Sequence, residues 1–212
     1  MLSEIEHFLE AMDGRKVYRL RLPHERRMRA LWSRRFKAQG KAVVRELLSG
    51  VSRESAASLQ ALLLTLLDVP EEDWTGSIAA TIGEAIKAAG ETTVADILPM
   101  PAAGFTFDML QLSTNLYQYS SQLIRGIDET TRTRVIAILT EGAEAGLSYS
   151  AIAAKLRREF RQFAVPRPQR HIRDRATLIA VTEIGNAYVR GQVEAIGQMM
   201  NVGLRFEKFW QT

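Results

Sequence analysis

His24-Glu25-Arg26-Arg27-Met28-Arg29-Ala30-Leu31-Trp32-Ser33-Arg34-Arg35-Phe36-Lys37-Ala38-Gln39-Gly40-Lys41-Ala42-Val43-Val44-Arg45 decides the fold class, because its basic and apolar residues separate only when the chain is wound as an α-helix. At about 100° per residue, Arg26, Arg27, Arg34, Lys37, Lys41 and Arg45 fall within an arc of about 100°, while Met28, Trp32, Phe36, Val43 and Leu47 gather on another side. One side packs and the other presents charge. Pro23 has no amide proton and suits a helix start, so the helix is expected over 24–48, closed by Ser49-Gly50.

Helical periodicity continues on both sides of this stretch. Ser3 and Glu6 have capping-box spacing and open a short helix through about Met12. Ser52 caps a helix carrying Leu59, Leu62, Leu63, Leu66 and Leu67, which stops before Pro70. Trp74, Ile78, Ile82 and Ile86 recur every fourth residue in a helix expected to end at Gly90. Two prolines and a glycine in Leu98-Pro99-Met100-Pro101-Ala102-Ala103-Gly104 bar both helix and central strand, which places a linker at 99–104.

Beyond the linker a helix is expected over 107–125, broken at Gly126-Ile127-Asp128, with Asp128 capping a second helix to about Ala145. Gly146 ends that helix and Ser148 caps another, to about Phe163. Ala164-Val165-Pro166-Arg167-Pro168-Gln169 reads as a stiff connector. A last long helix over 173–200 leads through Gly203 to a single strand over 204–210. The expected fold is mainly α, with two helical lobes, 1–98 and 105–212, and a short C-terminal β element.

Composition narrows the function. With 212 residues, 46% hydrophobic and 25% charged, the chain is of ordinary globular composition and can bury a core. The absence of cysteine excludes disulfides, thiolate metal ligation and a cysteine nucleophile. The longest apolar run, 59–69, is interrupted by Gln60, Thr65 and Asp68 and is shorter than the roughly 18 residues of a membrane span. The first residues lack the basic and apolar regions of a secretory signal, so action in the cytoplasm is the default expectation.

Net charge is only +4, but it is unevenly placed. Twelve Lys or Arg lie between Arg15 and Arg45 against Glu25 and, just past the edge, Glu46, and eight lie between Lys155 and Arg175 with Glu159 and Asp174. Two such blocks imply an anionic partner. Six aligned cations neutralise phosphates without reading bases, with a salt slope of about −5 on double-stranded DNA. A face that meets acidic side chains of another protein, and a merely solvated face, are the other readings. In the second block Arg157, Arg158 and Arg161 lie at a helix end, Arg167 and Arg170 in the connector and Arg173 and Arg175 at the next helix start; the helix dipole partly accounts for arginine near a last turn.

Motifs for catalysis are missing. His7, His24 and His171 are far apart and never at ligand spacing, so neither a metal nor another cofactor is expected. No glycine-rich phosphate loop or Gly-x-Ser-x-Gly elbow occurs, and no enzyme activity is expected. Gly146-Leu147-Ser148-Tyr149-Ser150-Ala151-Ile152-Ala153-Ala154-Lys155-Leu156 is like the first helix of a helix-turn-helix, but Arg157-Arg158-Glu159-Phe160-Arg161 continues the helix where a turn is required. On the last helix Glu183 is expected to pair with Arg190, and Gly185 and Gly191 to permit close packing.

Three pieces in the second half, taken in order, carry a family resemblance. They are Leu123-Ile124-Arg125-Gly126-Ile127-Asp128-Glu129-Thr130-Thr131-Arg132; Ile152-Ala153-Ala154-Lys155-Leu156-Arg157-Arg158-Glu159-Phe160; and Arg175-Ala176-Thr177-Leu178-Ile179-Ala180-Val181-Thr182-Glu183 with Ala187-Tyr188-Val189-Arg190-Gly191 and the ending Phe209-Trp210-Gln211-Thr212. Together they resemble the C-terminal domain of the minor head, or head-morphogenesis, proteins of tailed phages, the group that includes the Mu-type internal head protein. The resemblance covers 107–212. It departs at Val181 and Asn186, where that family has arginine, and at Thr212, beyond which the family usually continues.

The resemblance implies a non-enzymatic virion protein of the capsid interior and portal vertex, present in host cytoplasm during assembly. Its implied partners are the portal protein, other head proteins and DNA, the last bound through its phosphate backbone, with roles in head assembly and in DNA packaging or ejection. A DNA-binding regulatory or nucleoid-type protein without sequence specificity is the alternative. No membrane partner is expected.

Overall fold

The computed structural model describes residues 14–49, 74–98, 105–164 and 175–204. Five helices make up the regular structure of those residues: α1 (Gly14–Ser49), α2 (Trp74–Ile97), α3 (Leu110–Glu144), α4 (Tyr149–Ala164) and α5 (Arg175–Asn201). The expected helices over 3–12 and 52–69, the linker at 99–104 and the connector after Ala164 lie outside the described residues.

Three helix ends follow the chemistry of their residues. Gly146, at φ +63°, closes α3: its amide bonds to Ala143 O, and the Leu147 amide reaches back to Gly142 O at 2.9 Å. Ser148 then caps α4 by accepting the Ala151 amide at 3.3 Å. Gly203, at φ +90°, ends α5 in the same way, with Leu204 N bonded to Met199 O at 3.1 Å.

That closure bears on the fold class, which needs correction. The short C-terminal β element is not seen: Leu204 closes the α5 cap rather than opening a strand, and the remainder of the expected strand, 205–210, lies outside the described residues. Among the described residues all regular structure is helical. The picture of two helical lobes also changes, since helices from either side of 99–104 share one hydrophobic cluster. The most extensive helix pairing is α2 with α5, and α1 packs on both α4 and α5.

Three expected helix ends are passed through because a tertiary partner outweighs the local signal. Pro23 lies inside α1, whose first turns are docked by half-buried Val17 and Leu20 and by an Arg21 hydrogen bond to Val181 O. Gly90 lies inside α2: a Cβ there would fall 2.4 Å from the Phe107 ring, so the glycine makes room rather than stopping the helix. Gly126 is exposed inside α3, where Ile124, Ile127, Thr131, Val135 and Ile138 bury one continuous stripe; the glycine costs about 1 kcal/mol and that packing absorbs it.

Small residues set the closest crossing. A Cβ on Gly191 of α5 would stand 2.3 Å from the backbone oxygen of Ile86 and 2.9 Å from the Cβ of Ala89, so the expected close packing at this glycine is present. Gln198 adds a clamp: it donates to Asp108 O and accepts from Asp108 N, holding the segment before α3 against α5.

Candidate nucleic-acid interface

The helical period that exposes the cations of α1 also buries a different charge. Arg35 stands about 180° from Arg26 around the helix axis, on the side of Met28 and Trp32, and is 4% exposed. Its guanidinium donates to Asp128, from Nη2 at 2.5 Å and from Nε at 3.3 Å, and Gln39 Nε2 donates to the same carboxylate at 2.8 Å. Asp128 is therefore the countercharge of α1 within α3 and not a helix cap. Arg175, at the start of α5, completes the arrangement by donating to Thr131 Oγ1 at 2.8 Å and to Ile127 O at 2.9 Å, with its guanidinium 5.4 Å above the Phe36 ring. Burial lowers the Arg175 pKa from its ordinary value and the Asp128 charge partly offsets that shift.

This buried network fixes the rotation of α1 and thereby its outer face. Arg26, Arg27, Arg34, Lys37, Lys41 and Arg45 are all exposed. Arg19, exposed one turn before Pro23, extends the same arc, and it goes unread when the proline is taken as the helix start. Along the axis the cations from Arg19 to Arg45 span about 39 Å.

Their neighbours differ along that length. Lys16 pairs with Asp96 and Arg27 with Glu84, while the Arg34 guanidinium lies 5.8 Å from the Trp74 ring centre. These contacts show α2 running antiparallel to α1 and beginning level with Arg34. Lys37, Lys41 and Arg45 lie past that point, and no acid among the described residues comes within 4.0 Å of them. His24 sits near the paired half, its pKa lowered by burial, with Glu84 acting upward and Arg27 downward.

The second block arrives from α4. A Cβ on Gly40 would stand 2.8 Å from Phe160, so α1 and α4 touch there at backbone distance. Arg157 and Arg161 lie within one turn of Phe160, as Lys37 and Lys41 lie within one turn of Gly40; all four are exposed. Arg158 is exposed on the same helix. The acid of α4, Glu159, is turned to α3, where Arg134 Nε donates to it at 2.9 Å. Two basic blocks 120 residues apart in sequence thus meet at one helix crossing, a proximity no spacing rule reveals.

Other chemistry is sparse. Among the described residues no group of His, Asp or Glu could hold a metal ion. No helix there is long and apolar enough to cross a membrane. An open trough between α2 and α3 is lined mainly by Ala79, Gly83, Met109, Leu116 and Tyr117 and gathers no nucleophile with a base. Glu183 differs from expectation: it accepts the Tyr119 hydroxyl rather than pairing with Arg190. Burial first, and that hydrogen bond second, push the Tyr119 phenol up to about 12. Comparison with family models, with curated proteins and with solved structures finds no match.

Proposed function

We propose that this chain is a non-enzymatic scaffold that binds nucleic-acid backbone, serving as a minor head protein of a tailed phage or prophage. The observation that carries the binding half is the outer face of α1, where six aligned cations stay exposed while Arg35, turned into the core, is neutralised by Asp128. A row of that kind exceeds what solubility requires and suits a partner with regularly repeated negative charge. The placement in the head, beside the portal, rests on the resemblance of 107–212 and on the fit of such a surface to a confined polyanion. In this reading the protein acts in head assembly and in DNA packaging or ejection.

The test is duplex binding by the full chain and by the charge-reversed variant R34E/K37E/K41E across salt concentrations, together with copurification with portal oligomers. The expected outcome is a wild-type slope near −5, strongly reduced in the variant, and portal in the copurified fraction. Equal affinity and slope in the two proteins would remove phosphate contact from the account. Tight preference for one duplex sequence, without portal, would favour a regulatory DNA-binding protein instead.

A further inference from the structure

We propose that the nucleic-acid backbone is held by a saddle at the α1–α4 crossing, made by Lys37, Lys41 and Arg45 with Arg157 and Arg161, and not by the α1 stripe as a whole. The inference rests on the nucleic-acid reading above and narrows it to one place. Its basis is the division of the stripe by α2. On the amino-terminal side Lys16 and Arg27 already face Asp96 and Glu84, and Arg34 lies against Trp74. A phosphate approaching that half meets two carboxylates beside the cations and gains little from it.

Past the start of α2 the situation reverses. Lys37, Lys41 and Arg45 are exposed over about 12 Å of axis and form no ion pair with an acid among the described residues; half-buried Glu46, next to Arg45, is turned about 100° from it around the helix. Gly40 lets α4 approach until its Cβ position would be 2.8 Å from Phe160, which brings Arg157 and Arg161 alongside. Glu159, the acid that would spoil this surface, is engaged by Arg134 on the other side of α4. Five cations on two packed helices form a preorganised surface, so little ordering opposes binding.

The surface also selects the form of the ligand. None of the five residues is aromatic, and Trp32 and Phe36 are fully buried, so among the described side chains unpaired bases find no stacking platform here. Among the side chains described there, no exposed amide stands between the cations to read base edges; Gln39 is buried on Asp128. The saddle therefore fits double-stranded backbone of any sequence.

The experiment uses the full chain with a 20-base-pair duplex of arbitrary sequence, titrated from low to high salt, and compares K37Q/K41Q, R157Q/R161Q and R27Q/R34Q after circular dichroism confirms folding. Removing two phosphate contacts lowers affinity by about 30-fold at 0.15 M salt and makes the slope shallower by about 2. That loss is expected for K37Q/K41Q and for R157Q/R161Q, with R27Q/R34Q within about twofold of wild type. A loss in R27Q/R34Q as large as in K37Q/K41Q, or no loss in R157Q/R161Q, overturns the saddle while leaving the nucleic-acid reading intact. Failure of the wild-type chain to bind duplex at all overturns that reading itself.

Discussion

Replacing Asp128 by leucine removes the only acid bonded to Arg35 among the described residues and leaves a guanidinium in the core. The magnitude follows from burial: the two side chains are 5% and 7% exposed, so solvent cannot take over the role of the lost carboxylate. Breaking a buried pair in this way costs about 3–5 kcal/mol. Gln39 also loses its acceptor, and Arg175 loses the charge that partly offsets its burial. At roughly 2–4 °C per kcal/mol for a chain of this size, the melting temperature should fall by roughly 6–20 °C. The double variant R35M/D128L removes both charges and fills the space with apolar groups, so it should be distinctly more stable than D128L alone. Urea unfolding followed by tryptophan fluorescence reads this directly, since Trp74 lies 5.6 Å from the Arg35 guanidinium. The reasoning is refuted if D128L costs less than about 1 kcal/mol, or if the two single changes add in the double variant to within about 0.5 kcal/mol.

Two further predictions follow from glycine and tyrosine. G191A should destabilise by about 1–3 kcal/mol because its methyl meets the Ile86 oxygen, whereas G126A, with nothing within 4 Å of its Cβ position, should stabilise by about 0.5–1 kcal/mol; thermal melts of the two variants must move in opposite directions. Burial raises both Tyr119 and Tyr188 from 10.0 to about 12, with the Glu183 contact adding at Tyr119, so the folded chain retains protons that the unfolded chain releases. Their contribution to stability is complete below about pH 10 and is lost as pH rises towards 12; urea midpoints measured across that window should fall steeply in wild type and less in Y119F/Y188F.

The helices were legible where local chemistry acts alone. Gly146 and Ser148 mark the α3–α4 turn because a left-handed glycine and a side-chain cap need no distant partner. Gly90 and Asp128 misled for the opposite reason: each is a common helix-boundary residue whose role is set by one side chain far along the chain, Phe107 for the glycine and Arg35 for the aspartate. Pro23 hid Arg19 in the same way. Of the candidate interface, the exposed arc on α1 was readable from a 100° period. The approach of α4 at Gly40 and the acids of α2 beside Arg27 depend on tertiary packing and leave no trace in spacing. The pairing expected between Glu183 and Arg190 failed because Tyr119, on another helix, reaches the carboxylate.

Around Arg35 the roles of α1 change residue by residue: Arg34 faces out, Arg35 and Phe36 face in, and Lys37 faces out again. A substitution among the outward cations changes how strongly the protein is attracted to something else, but a single inserted or deleted residue between Arg27 and Arg35 would turn everything beyond it by about 100°. An insertion would carry Phe36 to the exposed position now held by Lys37, and a deletion would set Phe36 in place of Arg35 against the Asp128 carboxylate and bury Lys37. Descendants of this chain are therefore free to retune the charge of this helix, while its length between those points is held constant by what lies beneath.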